Sequence, residues 1–81
     1  MDEKQQIRQF VLSNFYVADP AALVDSASLL EAGIVDSTGV LEIITFLEDT
    51  FGIQVADEEM VPENLDAVER LVAYVKRKRG S

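Results

Sequence analysis

The stretch that decides the fold is Gly33–Ile53, GIVDSTGVLEIITFLEDTFGI. The carboxylate of Asp36 is placed to accept a hydrogen bond from the exposed amides of a first helical turn, so the spacing predicts a helix that begins at Ser37 and ends at Phe51, with Gly52 as its stop. Viewed down that helix, Val40, Ile44, Leu47 and Phe51 form a narrow apolar stripe with Ile43 and Leu41 on its flanks, which marks a core face. Thr38, Glu42, Thr45 and Asp49 fall on the opposite side. Phe46 lies beside that acidic side, so it either packs against a loop or stands at the surface.

Working outward, Ile7, Phe10, Val11 and Phe15 recur at three- and four-residue spacings and predict an amphipathic helix from Asp2 to Phe15, with Asp2 and Glu3 at the positive end of its dipole. A long loop follows, punctuated by Pro20 and Gly33. Loops of this length are uncommon in a small domain and are usually functional or held by their own apolar residues, here Leu23, Leu29, Leu30 and Ile34. Within it SASLLEAG, residues 26–33, has the makings of one helical turn ended by Gly33. Beyond Gly52, Asp57 is expected to start a short helix cut off before Pro62, because proline disfavours helix in the preceding residue. Asp66 and Glu69 have capping-box spacing, and Val68, Leu71, Val72 and Val75 continue the helical period to the basic end Lys76–Arg79. No strand alternation or internal repeat appears. The expected architecture is all-α, one domain over residues 1–81, with three main helices, one short helix and a long loop between the first two.

The composition narrows the chemistry. The chain has 81 residues, 48% of them hydrophobic, no cysteine and no histidine. Zinc sites and Ser-His or Cys-His nucleophilic pairs are thereby excluded, and no segment has the ligand spacing of a calcium loop. A net charge of −8 is unevenly spread, with every basic residue near an end (Lys4, Arg8, Arg70 and Lys76–Arg79) and no positive charge between Arg8 and Arg70. That acidic middle repels phosphate backbones, so nucleic-acid binding is not expected, whereas a basic partner protein would be steered towards it. The opening MDEKQQIRQF is too polar for a secretory signal, and no apolar run is long enough to span a bilayer. A cytoplasmic monomer without a membrane span is expected. A small helical bundle has little room for a cleft holding paired catalytic carboxylates, so the acidic residues are read as a solvated face rather than an active site.

Ser37 stands apart because of its position. Unpaired amides and the helix dipole favour an anion at a first turn, so a phosphoester on this hydroxyl would sit in a favourable field, and Gly39 removes a side chain that would crowd it. The plainer reading is that serine and aspartate are simply common at helix starts.

The whole pattern adds to this. A helix, a long loop, Asp36-Ser37 opening a second helix, Glu42, the run FLEDTFGI with Glu48, Asp49 and Phe51, a short helix at Asp57-Glu58-Glu59, and a last helix after NLDAVERL together resemble an acyl carrier protein over nearly the full chain. The resemblance implies 4′-phosphopantetheine attached to Ser37, transferred from coenzyme A by a separate magnesium-dependent phosphopantetheinyl transferase, with Asp36 helping that enzyme and its metal engage. The protein would be a carrier, not an enzyme. Partner enzymes would read a surface comprising Thr38, Leu41, Glu42, Thr45, Phe46, Glu48, Asp49, Asp57 and Glu58. Residues such as Ile44 and Leu71 could part to admit a cargo chain, a cavity that a polar cargo would not need. Two departures, Thr38 where many fatty-acid carriers have leucine and the longer approach GIVDS, are more like carriers dedicated to D-alanine or to particular amino- or hydroxy-acyl groups. They point to a specialised pathway, with loading by an adenylate-forming ligase and delivery to a downstream synthase or transferase. The other reading, an acidic helical interaction module without a prosthetic group, explains the charge and the helices but not the concerted placement of Asp36-Ser37 with the later residues. The basic end at Lys76–Arg79 complements the last helix dipole and is expected to be solvated.

Overall fold

A computed structural model of the chain describes residues 2–15, 17, 19, 21 and 23–80. Among the described residues there are four α-helices and no strand: α1 (Glu3–Asn14), α2 (Ser37–Phe51), α3 (Pro62–Leu65) and α4 (Val68–Lys78), with a 3₁₀ turn at Asp57–Glu59 between α2 and α3. Pro20, expected to punctuate the loop, lies outside the described residues.

Both ends of α2 form for the reasons the sequence suggests. Asp36 Oδ1 accepts the Gly39 amide at 2.7 Å, and Gly52, at φ 67°, donates its own amide back to the Glu48 carbonyl. The left-handed conformation at Gly52 suits glycine and ends the helix. Asp2 caps α1 in the same way, accepting from the Gln5 amide at 2.8 Å. The core is built on Ile7 and Val11 of α1, Ile43, Ile44 and Leu47 of α2, and Val68, Leu71, Tyr74 and Val75 of α4.

Several expectations need correction. Of the predicted α2 stripe, Ile44 and Leu47 are buried together with Ile43 from its flank, Val40 and Phe51 are half-buried against the core, and only the other flank fails, Leu41 being 60% exposed. The buried face is thus turned from Leu41 towards Ile43. Phe46 packs neither on the loop nor in open solvent; its ring stacks on Phe10 at 4.2 Å and meets Phe51 edge-on. Gly39 is buried, and a Cβ there would come within 2.7 Å of the Phe15 ring and 3.1 Å of Val35. Its lack of a side chain therefore lets α1 and the loop close on the start of α2, a packing role rather than room for a group on Ser37. With Phe15 against Gly39 and Phe10 against Phe46, α1 and α2 run antiparallel.

The segment after Gly52 also differs. The expected short helix is a 3₁₀ turn that stops at Glu59, and Pro62 opens α3 instead of closing the preceding helix. Proline fits there because the first helical amide has no intrahelical partner to lose. Asp66 and Glu69 form no capping box; the residue before α4 is Ala67, without a side-chain cap. Asp66 turns to the long loop, accepting from the Ser28 hydroxyl and from the Leu30 amide at 2.9 Å, while its own carbonyl takes the Leu29 amide at 2.8 Å. The basic end of α4 is not simply solvated either. Lys78 pairs with Glu59 at 2.8 Å, Arg77 donates to Asn64 at 2.8 Å, and Arg79 reaches both Glu3 and the face of Phe51.

The loop is tied down by polar contacts as well as by apolar side chains. Leu23, Leu29 and Val35 are buried and Ile34 is half-buried, whereas Leu30 is 42% exposed. Residues 28–33 make the helix-like turn, with Ala32 donating to the Ser28 carbonyl and Gly33 at φ 73° ending it. Asp25 binds Lys4 and Arg8, each at 2.6 Å, and its carbonyl accepts the Glu69 amide, so α1, the loop and α4 meet at one residue.

The hydrogen bond from Lys4, and behind it the one from Arg8, holds the Asp25 carboxyl below its ordinary value of 3.8. A depressed folded-state pKa gives stability that is complete above the unfolded value and is lost as pH falls through the folded one. Thermal stability should therefore drop as the pH is taken below about 4. Asp25→Asn should cost about 1–2 kcal/mol at neutral pH and blunt that acid-side loss. Melting curves of both proteins across the acid range test this; parallel profiles would show that Asp25 contributes nothing to it.

Candidate functional site

Ser37 occupies the first position of α2 and is exposed. Its hydroxyl has no hydrogen-bond partner among the described residues. The amides of Ser37 and Thr38, at the helix start, have no carbonyl one turn earlier to bind. Asp36, itself exposed, spends Oδ1 on the Gly39 amide, which fixes the backbone beside Ser37 and leaves Oδ2 without a hydrogen-bond partner among the described residues. An exposed, uncommitted hydroxyl on a firmly capped helix start fits a phosphoester, because the helix end favours the anion without any rearrangement.

The surface residues named from the sequence separate into three groups. Thr38, Leu41, Glu42, Thr45 and Asp49 are all exposed and spread along the outward side of α2 below Ser37. Asp57 and Glu58 are exposed on the 3₁₀ turn, while their neighbour Glu59 is drawn inward by Lys78, the Ala56 amide and the Tyr74 hydroxyl. Phe46 and Glu48 belong partly to the interior: Phe46 is held by the aromatic stack, and Glu48 Oε2 accepts the Val55 amide at 3.1 Å, bracing the turn after α2.

The sequence did not reveal a cleft beside the start of α2. It measures about 120 Å³ and is lined by Val40 of α2, by loop residues and by Met60, Val61, Pro62, Leu65 and Asp66. Leu29, Val35 and Leu65 are its buried floor, and Leu30 and Met60 are its half-open rim. Among the described residues that line it, Asp66 alone is of a charged type. The only cue was a pair of hydrophobic residues, Leu30 and Met60, in turns where exposure was to be expected. Ile44 and Leu71, which the resemblance suggested would part for a cargo chain, are closed, at 7% and 0% exposure.

A helical bundle with an exposed serine at the start of its second helix has the form that a phosphopantetheine-bearing carrier requires. A family profile described as "Phosphopantetheine attachment site" matches residues 5–75. The chain is 32% identical to an acyl carrier protein of Campylobacter hominis over 94% of this chain and 92% of the relative. It is 31% identical to a D-alanyl carrier protein of Streptococcus suis over 93% and 92%, and 35% identical to one of Abiotrophia defectiva over 63% and 65%. The chain belongs to the acyl carrier protein family. It is a carrier rather than an enzyme, its prosthetic group is covalent 4′-phosphopantetheine, and it works with a phosphopantetheinyl transferase and with partner enzymes. None of its described helices is long and apolar enough to cross a membrane.

Proposed function

We propose that Ser37 Oγ is the attachment atom and that the protein serves as a dedicated carrier for a short acyl or aminoacyl group. The observation that carries this reading is the exposed, unpaired hydroxyl of Ser37 on a helix start held by Asp36. In the attachment step Ser37 Oγ loses its proton and forms a new bond to the phosphorus of coenzyme A that bears the pantetheine. The bond from that phosphorus to the nucleotide half breaks, and the nucleotide leaves with the other phosphate groups. The free oxygen of Asp36 is suited to the transferase's magnesium, and the amides of Ser37 and Thr38 to the product phosphodiester. Once bound, the prosthetic group supplies the thiol that this cysteine-free chain lacks, holding the acyl group as a thioester.

The exposed acidic groups Glu42, Asp49, Asp57 and Glu58 would steer basic surfaces of partner enzymes towards the Ser37 end, with Thr38, Leu41 and Thr45 as the uncharged part of the contact. A specialised pathway, with an adenylate-forming ligase loading the arm, is supported by Thr38, by the GIVDS approach, by a cleft far smaller than a long chain would need, and by the D-alanyl carriers among the relatives.

The decisive experiment weighs the intact protein after incubation with coenzyme A, magnesium and a broad-specificity phosphopantetheinyl transferase. A gain of one phosphopantetheinyl group is expected for the parent and none for Ser37→Ala. No gain on folded protein with several competent transferases, or a gain that survives Ser37→Ala, would overturn the assignment.

A further inference from the structure

Gly39 is the buried residue in the first turn of α2, between exposed Thr38 and half-buried Val40, and two things meet at it. Its amide makes the capping bond to Asp36 Oδ1 at 2.7 Å, and Ser37 lies within the turn that this bond closes. Its missing side chain leaves room for the edge of the Phe15 ring: a Cβ would stand 2.7 Å from that ring, 3.1 Å from Val35 and 3.4 Å from Asp36 Oδ1. The first of these is well inside the optimum of about 3.5–4.0 Å between carbon atoms, so the ring in its present place excludes any side chain at residue 39. Both walls are held from behind. Phe15 ends α1 with its amide on the Val11 carbonyl at 3.0 Å, and its ring meets Phe10 edge-on, Phe10 being stacked in turn on Phe46 of α2. Val35 is buried, and its amide donates to the Leu29 carbonyl at 3.2 Å. Glycine is a far poorer helix former than alanine, so its use here sacrifices helix propensity for close contact between the end of α1 and the backbone beside Ser37.

Resting on the carrier reading, we infer that Phe15 is a positioning residue for attachment of the prosthetic group: seated against Gly39, its ring edge fixes the turn that holds Asp36 and Ser37, and so sets the direction from which Ser37 Oγ meets the phosphorus of coenzyme A. Phe15 acts through Gly39, not on the coenzyme. Displacement at phosphorus depends on alignment, and a misplacement of about 1 Å can cost on the order of a hundredfold in rate. The exposed acidic groups Glu42, Asp49, Asp57 and Glu58, which would steer the transferase, are unchanged when Phe15 or Gly39 is replaced. The effect therefore belongs to turnover rather than to encounter, and separates kcat from KM.

The test measures both constants of a phosphopantetheinyl transferase, with coenzyme A and magnesium, for the parent, Gly39→Ala, Phe15→Leu and the double variant, at a temperature where circular dichroism shows each to be folded. Gly39→Ala, which forces the ring off the turn, should lower kcat about tenfold and leave KM within about twofold. Phe15→Leu, which removes the ring edge from the turn, should lower kcat several-fold. In the double variant the smaller leucine admits the new methyl group, and kcat should return to within about threefold of the parent, a recovery that independent losses, being additive in free energy, do not give. Ile7→Ala, in the first half of α1 and buried, controls for lost stability and should leave kcat unchanged. Should Gly39→Ala not fold, a lower kcat in Phe15→Leu but not in Ile7→Ala supports the inference on its own. Parent-like kcat in Phe15→Leu, a double variant slower than either single one, or an equal loss in Ile7→Ala would overturn it, while loading of the parent leaves the carrier reading intact. A parent that takes no phosphopantetheinyl group at all would overturn that reading and the inference with it.

Discussion

Leu47→Ala is expected to remove about 2–5 kcal/mol of stability, the usual cost of emptying a closed leucine site. Leu41→Ala, on the same helix, is expected to stay within about 0.5 kcal/mol of the parent. Leu47 is fully buried and Leu41 is 60% exposed. For a chain this size, with a total stability of roughly 4–12 kcal/mol, the first change consumes a large fraction of the whole and should lower Tm by about 8 °C or more, at about 4–8 °C per kcal/mol. Leu71→Ala should behave like Leu47→Ala, because Leu71 is also fully buried on α4, where that helix packs against α1 and α3. Denaturant and thermal unfolding of the three variants check this. A Leu47 variant within 1 kcal/mol of the parent would show that α2 is not seated as described.

The contrast between these two leucines also marks how far the sequence was legible. The boundaries of α2 could be read because they depend on short-range chemistry, an aspartate one residue before the helix and a glycine one residue after it. The same holds for the exposed Ser37, which follows from its place at a helix start. The direction in which α2 faces depended on a partner that no local pattern shows. Gly39 lets Phe15 and Val35 approach, Phe10 stacks on Phe46, and α1 thereby draws the buried face towards Ile43 and away from Leu41. Asp66 failed as a cap for a similar reason: thirty-eight residues separate it from Ser28, and the loop competes for its oxygens. The cleft follows from the same long-range contacts, since Asp66, at the end of α3, also binds the amides of Leu29 and Leu30 and brings the loop against that helix. Features fixed within one turn of helix were visible, and those fixed by a distant segment were not.

Tyr74 illustrates the second kind and gives the other large effect. Its ring is 1% exposed in the core, while its hydroxyl donates to Glu59 Oε1 at 3.1 Å. Burial, and after it the bond to the Glu59 carboxylate, pushes the phenol up from 10.0 to about 12. In the unfolded chain the phenol ionises near its ordinary value, so between pH 10 and 12 the unfolded state gains from losing a proton that the folded state keeps. A raised folded-state pKa gives stability that is complete below the unfolded value and lost as pH rises through the folded one. Some 2–3 kcal/mol should disappear across that interval, at about 1.36 kcal/mol per unit of difference. Tyr74→Phe isolates the phenol: it should cost about 1 kcal/mol at neutral pH from the lost hydrogen bond and show a distinctly shallower alkaline decline. With Tyr16→Phe as background, the tyrosinate absorbance of Tyr74 should appear only as the protein unfolds. Tyrosinate appearing near pH 10 in the folded protein, or identical alkaline slopes for parent and Tyr74→Phe, would show that the ring is not enclosed between α4 and the 3₁₀ turn.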